Sequence, residues 1–280
     1  MTFAQKLDNI ITKNNSLLCV GLDSNFDNLP EEFKSQEFPQ FAFNKHIIDL
    51  THDLVCAYKP NSAFYEARGA DGVAELKMTC DYIRENHPDI IIILDAKRGD
   101  IGSTNEGYVQ FAYQYLQADA VTLHPYLGKE ALQPFLDQKE KGCIILCKTS
   151  NPGAGEFQDL SMDPPSEGGA QRAGDVDKLY KTVAKSVVTN WNTNGNCMLV
   201  VGATYPKELA EIRKIVGDMT ILVPGIGAQG GDVEKTVKAG LNSQGRGMII
   251  NSSRGIVFSK DPKEEAKKLR DEINRYRTII

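Results

Sequence analysis

Asp95, Lys97 and Asp100 follow an apolar run, Ile90-Ile-Ile-Ile-Leu94, and bring three charges within a few positions of one another. A run of five apolar, mostly β-branched residues is too short for a helix and suits a buried strand. Side chains alternate along a strand, so Asp95 and Lys97 point to the same side, one pleat apart. Gly99 ends the strand, and Asp100 stands on the turn that follows. Charges at the end of a buried strand are costly unless they pair with one another or act on something. Two readings follow. One is a structural ion-pair cluster that caps the strand, since structural networks also perturb charged groups. The other is an active-site charge array, in which carboxylates hold an ammonium group in its charged form.

The elements that must position this array recur along the chain. Eight short apolar runs read as strands: Leu17–Leu22, Leu54–Lys59, Ile90–Lys97, Ala120–His124, Cys143–Lys148, Cys197–Gly202, Thr220–Pro224 and Met248–Asn251. The segments between them have room for a helix each. Phe41–Val55, Gly72–Asn86, Asn105–Leu116, Val176–Asn190, Pro206–Val216 and Gly231–Ala239 have helical spacing, and Pro262 opens a closing helix. Strands alternating with helices predict a parallel sheet, and eight units predict one domain, residues 1–280, folded as a (β/α)₈ TIM barrel. An open doubly wound sheet would want a Gly-x-Gly-x-x-Gly turn after the first strand, which Gly21-Leu-Asp-Ser does not supply. Residues 152–175, rich in Gly, Pro, Ser and Asp, read as a long loop after the fifth strand. Loops of that length are often functional.

The 280-residue chain is 41% hydrophobic and 25% charged, an ordinary soluble mix. Its net charge of -5 argues against a nucleic-acid polymer or an anionic membrane as partner, so a phosphate site must be local. No apolar run reaches membrane-spanning length, and the amphipathic start, Met1-Thr-Phe-Ala-Gln-Lys-Leu7, lacks a signal-peptide apolar region. The six cysteines form no Cys-x-x-Cys pair. Cys19, Cys143, Cys147 and Cys197 sit in strand-like runs and are expected to be buried thiols, which fits a cytoplasmic location. The four histidines have no metal-binding spacing, so no metal site is expected.

In a barrel of this kind, chemistry collects at the C-terminal strand ends. Polar residues gather there: Asp23, Lys59, Asp95 with Lys97, His124, Ser150, Thr204, the glycine-rich Pro224–Gly231 and Arg254. Glycine loops expose backbone N–H groups, and an arginine grips phosphate bidentately. The loops after strands seven and eight, with Pro224, Gly227, Gln229 and Arg254, therefore read as a phosphate site. Taken singly, Asp23 also reads as a turn cap, Lys59 as a solvated strand end, Ser150 as a turn former and His124 as a hydrogen-bonded wall residue.

Together these residues resemble the orotidine 5′-phosphate decarboxylase family. The resemblance rests on Asp95-x-Lys97-x-x-Asp100-Ile-Gly-x-Thr104, Asp23, Lys59, Ser150-x-Pro-Gly, Pro224-Gly-Ile-Gly-Ala-Gln229-Gly-Gly and Arg254, and runs from Leu18 to Gly255. Arg98-Gly99 and the long loop are similar to the larger bacterial branch. The resemblance implies decarboxylation of orotidine 5′-phosphate to UMP without metal or cofactor, in a homodimer with shared active sites. It implies that Lys59, Asp95, Lys97 and Asp100 form a charged tetrad, with Asp100 and Thr104 reaching into the partner's site. Asp23 and Lys59 are then expected at ribose hydroxyls, Ser150 at the pyrimidine, and Gln229 and Arg254 at the phosphate. Two alternatives remain: an Mg²⁺-dependent keto-sugar-phosphate enzyme of the same barrel type, which would want a further carboxylate such as Glu66 near strand two, and a non-catalytic nucleotide-binding module.

Overall fold

Eight strands close into a parallel barrel. The computed structural model describes residues 1–162, 177–226 and 231–277. The barrel strands are β1 (Leu18–Leu22), β2 (Ala57–Pro60), β3 (Ile91–Arg98), β4 (Ala120–Leu123), β5 (Gly142–Lys148), β8 (Cys197–Val201), β9 (Ile221–Pro224) and β10 (Met248–Ser252). The two-residue strands β6 (Ser161–Met162) and β7 (Asp177–Lys178) form a separate antiparallel ribbon outside it. Around the barrel the order is β1-β10-β9-β8-β5-β4-β3-β2. Each sequence-predicted strand is present, with ends displaced by up to three residues.

Burial on both faces explains why these strands read as continuous apolar runs rather than as alternating ones. Ile91, Ile92 and Ile93 are wholly buried. Each contributes about 1.5–3 kcal/mol by leaving water, so apolar burial anchors β3 and the charges at its end are not needed to hold it. The helices bury single stripes against the barrel. Phe3–Asn14 starts on a capping box between Thr2 and Gln5 and buries Phe3, Leu7, Ile10 and Ile11. It closes the N-terminal end of the barrel, with Phe3 against Gly142 at the start of β5 and Lys6 paired to Asp119 ahead of β4.

Three local outcomes differ from the sequence reading. A helix, Gly128–Leu136, lies between β4 and β5, where no helical spacing was evident; Gly128 at its start and Pro134 within it weaken the pattern. The helices Gly102–Val109 and Leu179–Ser186 each end in a π-helical stretch, Gln110–Tyr115 and Val187–Trp191. The start of the expected long loop holds a 3₁₀ turn, Pro152–Ala154, and a helical turn, Gly155–Gln158; positions 163–175 of that loop lie outside the described residues. All six cysteines are free and buried, including Cys56 and Cys80 outside the four expected. Burial pushes the Cys56 thiol up to about 12, so it is not a nucleophile at neutral pH.

Candidate active site

The C-terminal ends of β1, β2 and β3 bring four charged side chains into one chain of contacts. Lys59 Nζ donates to Asp95 Oδ2 at 2.8 Å, and Lys97 Nζ donates to Asp95 Oδ1 at 2.6 Å. Asp23 Oδ1 lies 4.0 Å from Lys59 Nζ. Charge thus alternates Asp23, Lys59, Asp95, Lys97. Burial alone would raise the Asp95 carboxyl, but the Lys59 and Lys97 ammonium groups outweigh it and hold Asp95 well below the usual carboxylate range. Burial also disfavours a charged Lys59; Asp95 first and Asp23 second outweigh that and hold it above the usual lysine range. Both groups therefore stay ionised throughout neutral pH. Lys97 differs in exposure: its side chain is 49% exposed against 4% for Lys59, so it is the ammonium group that faces the barrel mouth.

The pleat argument placed Asp95 and Lys97 on one side, and the structure joins them, but not by regular strand geometry. β3 pairs with β4 through Leu94 and Val121, then resumes at Arg98 and Leu123. Between these points β3 bulges, and Lys97 takes φ +48°. A left-handed conformation at a residue with a Cβ costs about 1–3 kcal/mol and persists only where its surroundings impose it. Strain of this sort gathers at functional sites.

Asp23, Lys59 and Asp95 line a cavity of about 390 Å³, within the range of small-molecule sites. Across β1, the ends of β9 and β10 supply its other wall: Pro224, Gly225, Ser253 and Arg254. Gly225 has φ +99°, which a side chain would oppose, and its carbonyl accepts the Gly231 N–H at 3.2 Å, closing the neck of the glycine loop. Gly227 and Gln229 lie outside the described residues. Arg254 is exposed and makes no ion pair among the described residues. Asp23 Oδ1 is buried without a hydrogen-bond donor, an acceptor suited to a ligand hydroxyl.

Other expected residues are placed less directly. Ser150 is half-buried and packs on Gly202, where a Cβ would stand 2.7 Å from its own Cβ. Asp100 and Thr104 are exposed and do not line the cavity of their own chain. Asn105, fully buried, donates to the Asp100 carbonyl at 2.5 Å and fixes that turn. His124, expected as a hydrogen-bonded wall residue, packs its ring against Gly99 and makes no side-chain hydrogen bond among the described residues. Glu66 is bound by Arg98 at 2.5 Å and does not line the cavity.

Several residues escaped the sequence reading. Asn25 and Asn61 line the cavity, and the available signal was their position shortly past strand ends. Thr122 donates to Asp95 Oδ1 at 2.9 Å, and its only signal was one hydroxyl inside an apolar run. Lys148, almost wholly buried, donates to Asp159 at 2.7 Å beneath the Tyr205 ring and ties the loop after β5 to the barrel.

Residues 16–269 match the family described as Orotidine 5'-phosphate decarboxylase / HUMPS family. The chain belongs to that family. Among its members, "Orotidine 5'-phosphate decarboxylase" of Cellvibrio japonicus is 48% identical, with 96% of this chain and 94% of the relative aligned. The solved structure of Leishmania donovani OMP decarboxylase has a TM-score of 0.84 at 39% identity and 99% coverage of both chains. The Leishmania donovani UMP synthase structure has a TM-score of 0.86 at 41% identity; 99% of this chain aligns with it but spans only 56% of that longer one. Membership in the orotidine 5′-phosphate decarboxylase / HUMPS family thus extends to nearly the whole chain, barrel and strand-end residues together.

Proposed function

We propose that this protein is a carboxy-lyase that converts orotidine 5′-phosphate to UMP in pyrimidine biosynthesis. The observation that supports this most is the Lys59–Asp95–Lys97 array, in which buried Lys59 and Asp95 share a cavity wall with Asp23, across β1 from Arg254, and the half-exposed Lys97 is bonded to Asp95. The C6–carboxylate bond breaks, its electron pair stays on C6, and CO₂ leaves. No neighbouring group in the pyrimidine absorbs that pair, so stabilisation must come from the protein. The Lys97 ammonium group, bonded to Asp95, stabilises the developing carbanion and then transfers its proton to C6. An array already fixed by Lys59 and Asp95 needs no reorganisation as charge develops. Asp23 and Lys59 hold ribose hydroxyls, Ser150 the pyrimidine edge, and Gln229 and Arg254 the phosphate. Phosphate contacts, remote from C6, supply binding free energy that is used at the reacting carbon.

The reading extends to a homodimer with shared sites. Asp100 and Thr104 are exposed and do not line the cavity of their own chain, and apolar side chains beside them are uncovered: Ile101 is 59% exposed and Tyr126 88%. The helix after Asp100 packs on the helix after Tyr126, so these residues lie on one side of the barrel mouth. Exposed apolar surface of this kind suits a second copy, with Asp100 and Thr104 completing the partner's site.

The direct test is loss of orotidine 5′-phosphate absorbance on incubation with the protein and EDTA. Full activity is expected after exhaustive chelation, because the array pairs its own charges and Glu66 is engaged by Arg98. Loss of activity with rescue by Mg²⁺ would favour a keto-sugar-phosphate enzyme. Arg254→Ala is expected to raise KM and lower kcat/KM, by about 2–5 kcal/mol if bound phosphate desolvates the pair. The penalty should disappear with orotidine, which lacks the phosphate. An equal penalty on orotidine would show that Arg254 does something other than hold phosphate.

A further inference from the structure

Three residues of β3, Asp95, Ala96 and Lys97, stand opposite one residue of β4, Thr122. Where the two strands lose their backbone ladder, the Thr122 side chain takes its place. Its Oγ1 accepts the Lys97 backbone N–H at 3.0 Å and donates to Asp95 Oδ1 at 2.9 Å. The direction of both bonds is forced. The amide can only donate, so it uses an Oγ1 lone pair and leaves the hydroxyl proton for the carboxylate. Thr122 is 1% exposed, so water does not replace either bond readily. One hydroxyl thus touches the backbone of the strained, positive-φ residue and the carboxylate that the side chain of that residue binds.

We infer that Thr122 is a positioning residue for the reaction: it fixes the bulge from which the Lys97 ammonium group reaches Asp95, and it orients Asp95 between its two lysines. The inference rests on the decarboxylase reading for its kinetic consequence but not for its geometry. A hydrogen bond from a hydroxyl to an ionised carboxylate is among the stronger ones, and an unpaired buried N–H is costly. Val has nearly the shape of Thr and neither bond, whereas Ser keeps both.

Thr122→Val, Thr122→Ser and Thr122→Cys are compared with wild type in three measurements: decarboxylation of orotidine 5′-phosphate, UMP affinity by calorimetry, and hydrogen exchange at the Lys97 amide. In Thr122→Val, kcat should fall roughly 10- to 100-fold, as expected for the loss of one strong hydrogen bond, while UMP affinity stays within about threefold. The Lys97 amide should exchange faster. Ser should restore kcat to within about threefold of wild type, and Cys, with its weak thiol, should resemble Val and stand in for it if Val does not fold. The role is overturned if Val and Cys turn over like wild type, if Ser is as impaired as Val, or if kcat and UMP affinity fall together. Slow turnover by wild type itself would overturn the activity assignment instead, and the exchange result would still judge the geometry.

Discussion

Lys97→Ala loses at least about 10⁴-fold in kcat and still binds UMP. The magnitude combines two losses. General acid catalysis contributes 10²–10⁴-fold, and one preorganised donor at a developing anion a further 10²–10³-fold. The fold should survive the change. Half of the Lys97 side chain is in solvent, so little packing is lost, and Asp95 keeps Lys59 at 2.8 Å as its counter-charge. Removing Lys59 instead would leave a buried carboxylate short of its main partner, a change that confuses stability with chemistry. Steady-state kinetics by absorbance and UMP binding by calorimetry measure the two halves of the expectation. A variant with activity within about tenfold of wild type would rule out Lys97 as the group that stabilises and protonates the carbanion.

A mixture of Lys97→Ala and Asp100→Ala chains, unfolded and refolded together, recovers roughly a quarter of wild-type activity. Each variant alone is nearly inactive. In a two-fold dimer the same patch of each subunit meets its copy, so a mixed dimer has one site with both lesions and one site with neither. Random pairing makes half of the dimers mixed, each with one good site of two, and the product of these fractions is about a quarter. The geometry that motivates the experiment is the position of Asp100. It is exposed, outside the cavity that Asp95 lines, with its turn held by Asn105. If Asp100 serves its own chain, every site retains a lesion and mixing restores nothing. Subunit exchange must be demonstrated separately by a mass or affinity tag, and an inactive mixture of exchanged dimers would remove the shared-site reading.

Much of this protein was legible in its sequence because the relevant signals are local. A strand buried on both faces must be apolar throughout, so eight short runs marked eight strands. Charges that interrupt such runs at their C-terminal ends have few structural excuses, and Asp23, Lys59, Asp95 and Lys97 meet in one array as their positions implied. The strand period put Asp95 and Lys97 on one side, and they do meet, though through the bulge at Lys97 rather than through a regular pleat. Arg254 and Pro224 line one wall of the same cavity for a similar reason: Pro224 ends β9 and Arg254 comes just after β10, both at the barrel mouth.

What the sequence left undetermined depends on which strands become neighbours and in what register. The left-handed backbone at Lys97 is invisible in Asp-Ala-Lys-Arg; it exists because β4 pairs with β3 before and after those residues and leaves Thr122 alone opposite them. For the same reason Thr122 reads as an ordinary strand residue until its hydroxyl is seen between Asp95 and the Lys97 amide. Lys148 looks like a solvated strand end, yet Asp159 and the Tyr205 ring enclose it once the loop after β5 folds back. Glu66, a possible ligand by position, is taken by Arg98 across thirty-two residues of chain. Residue type and spacing specified the strands and the charges at their ends; long-range pairing specified the strain, the partners and the orientation of those charges, because such contacts join residues with no local relation in sequence.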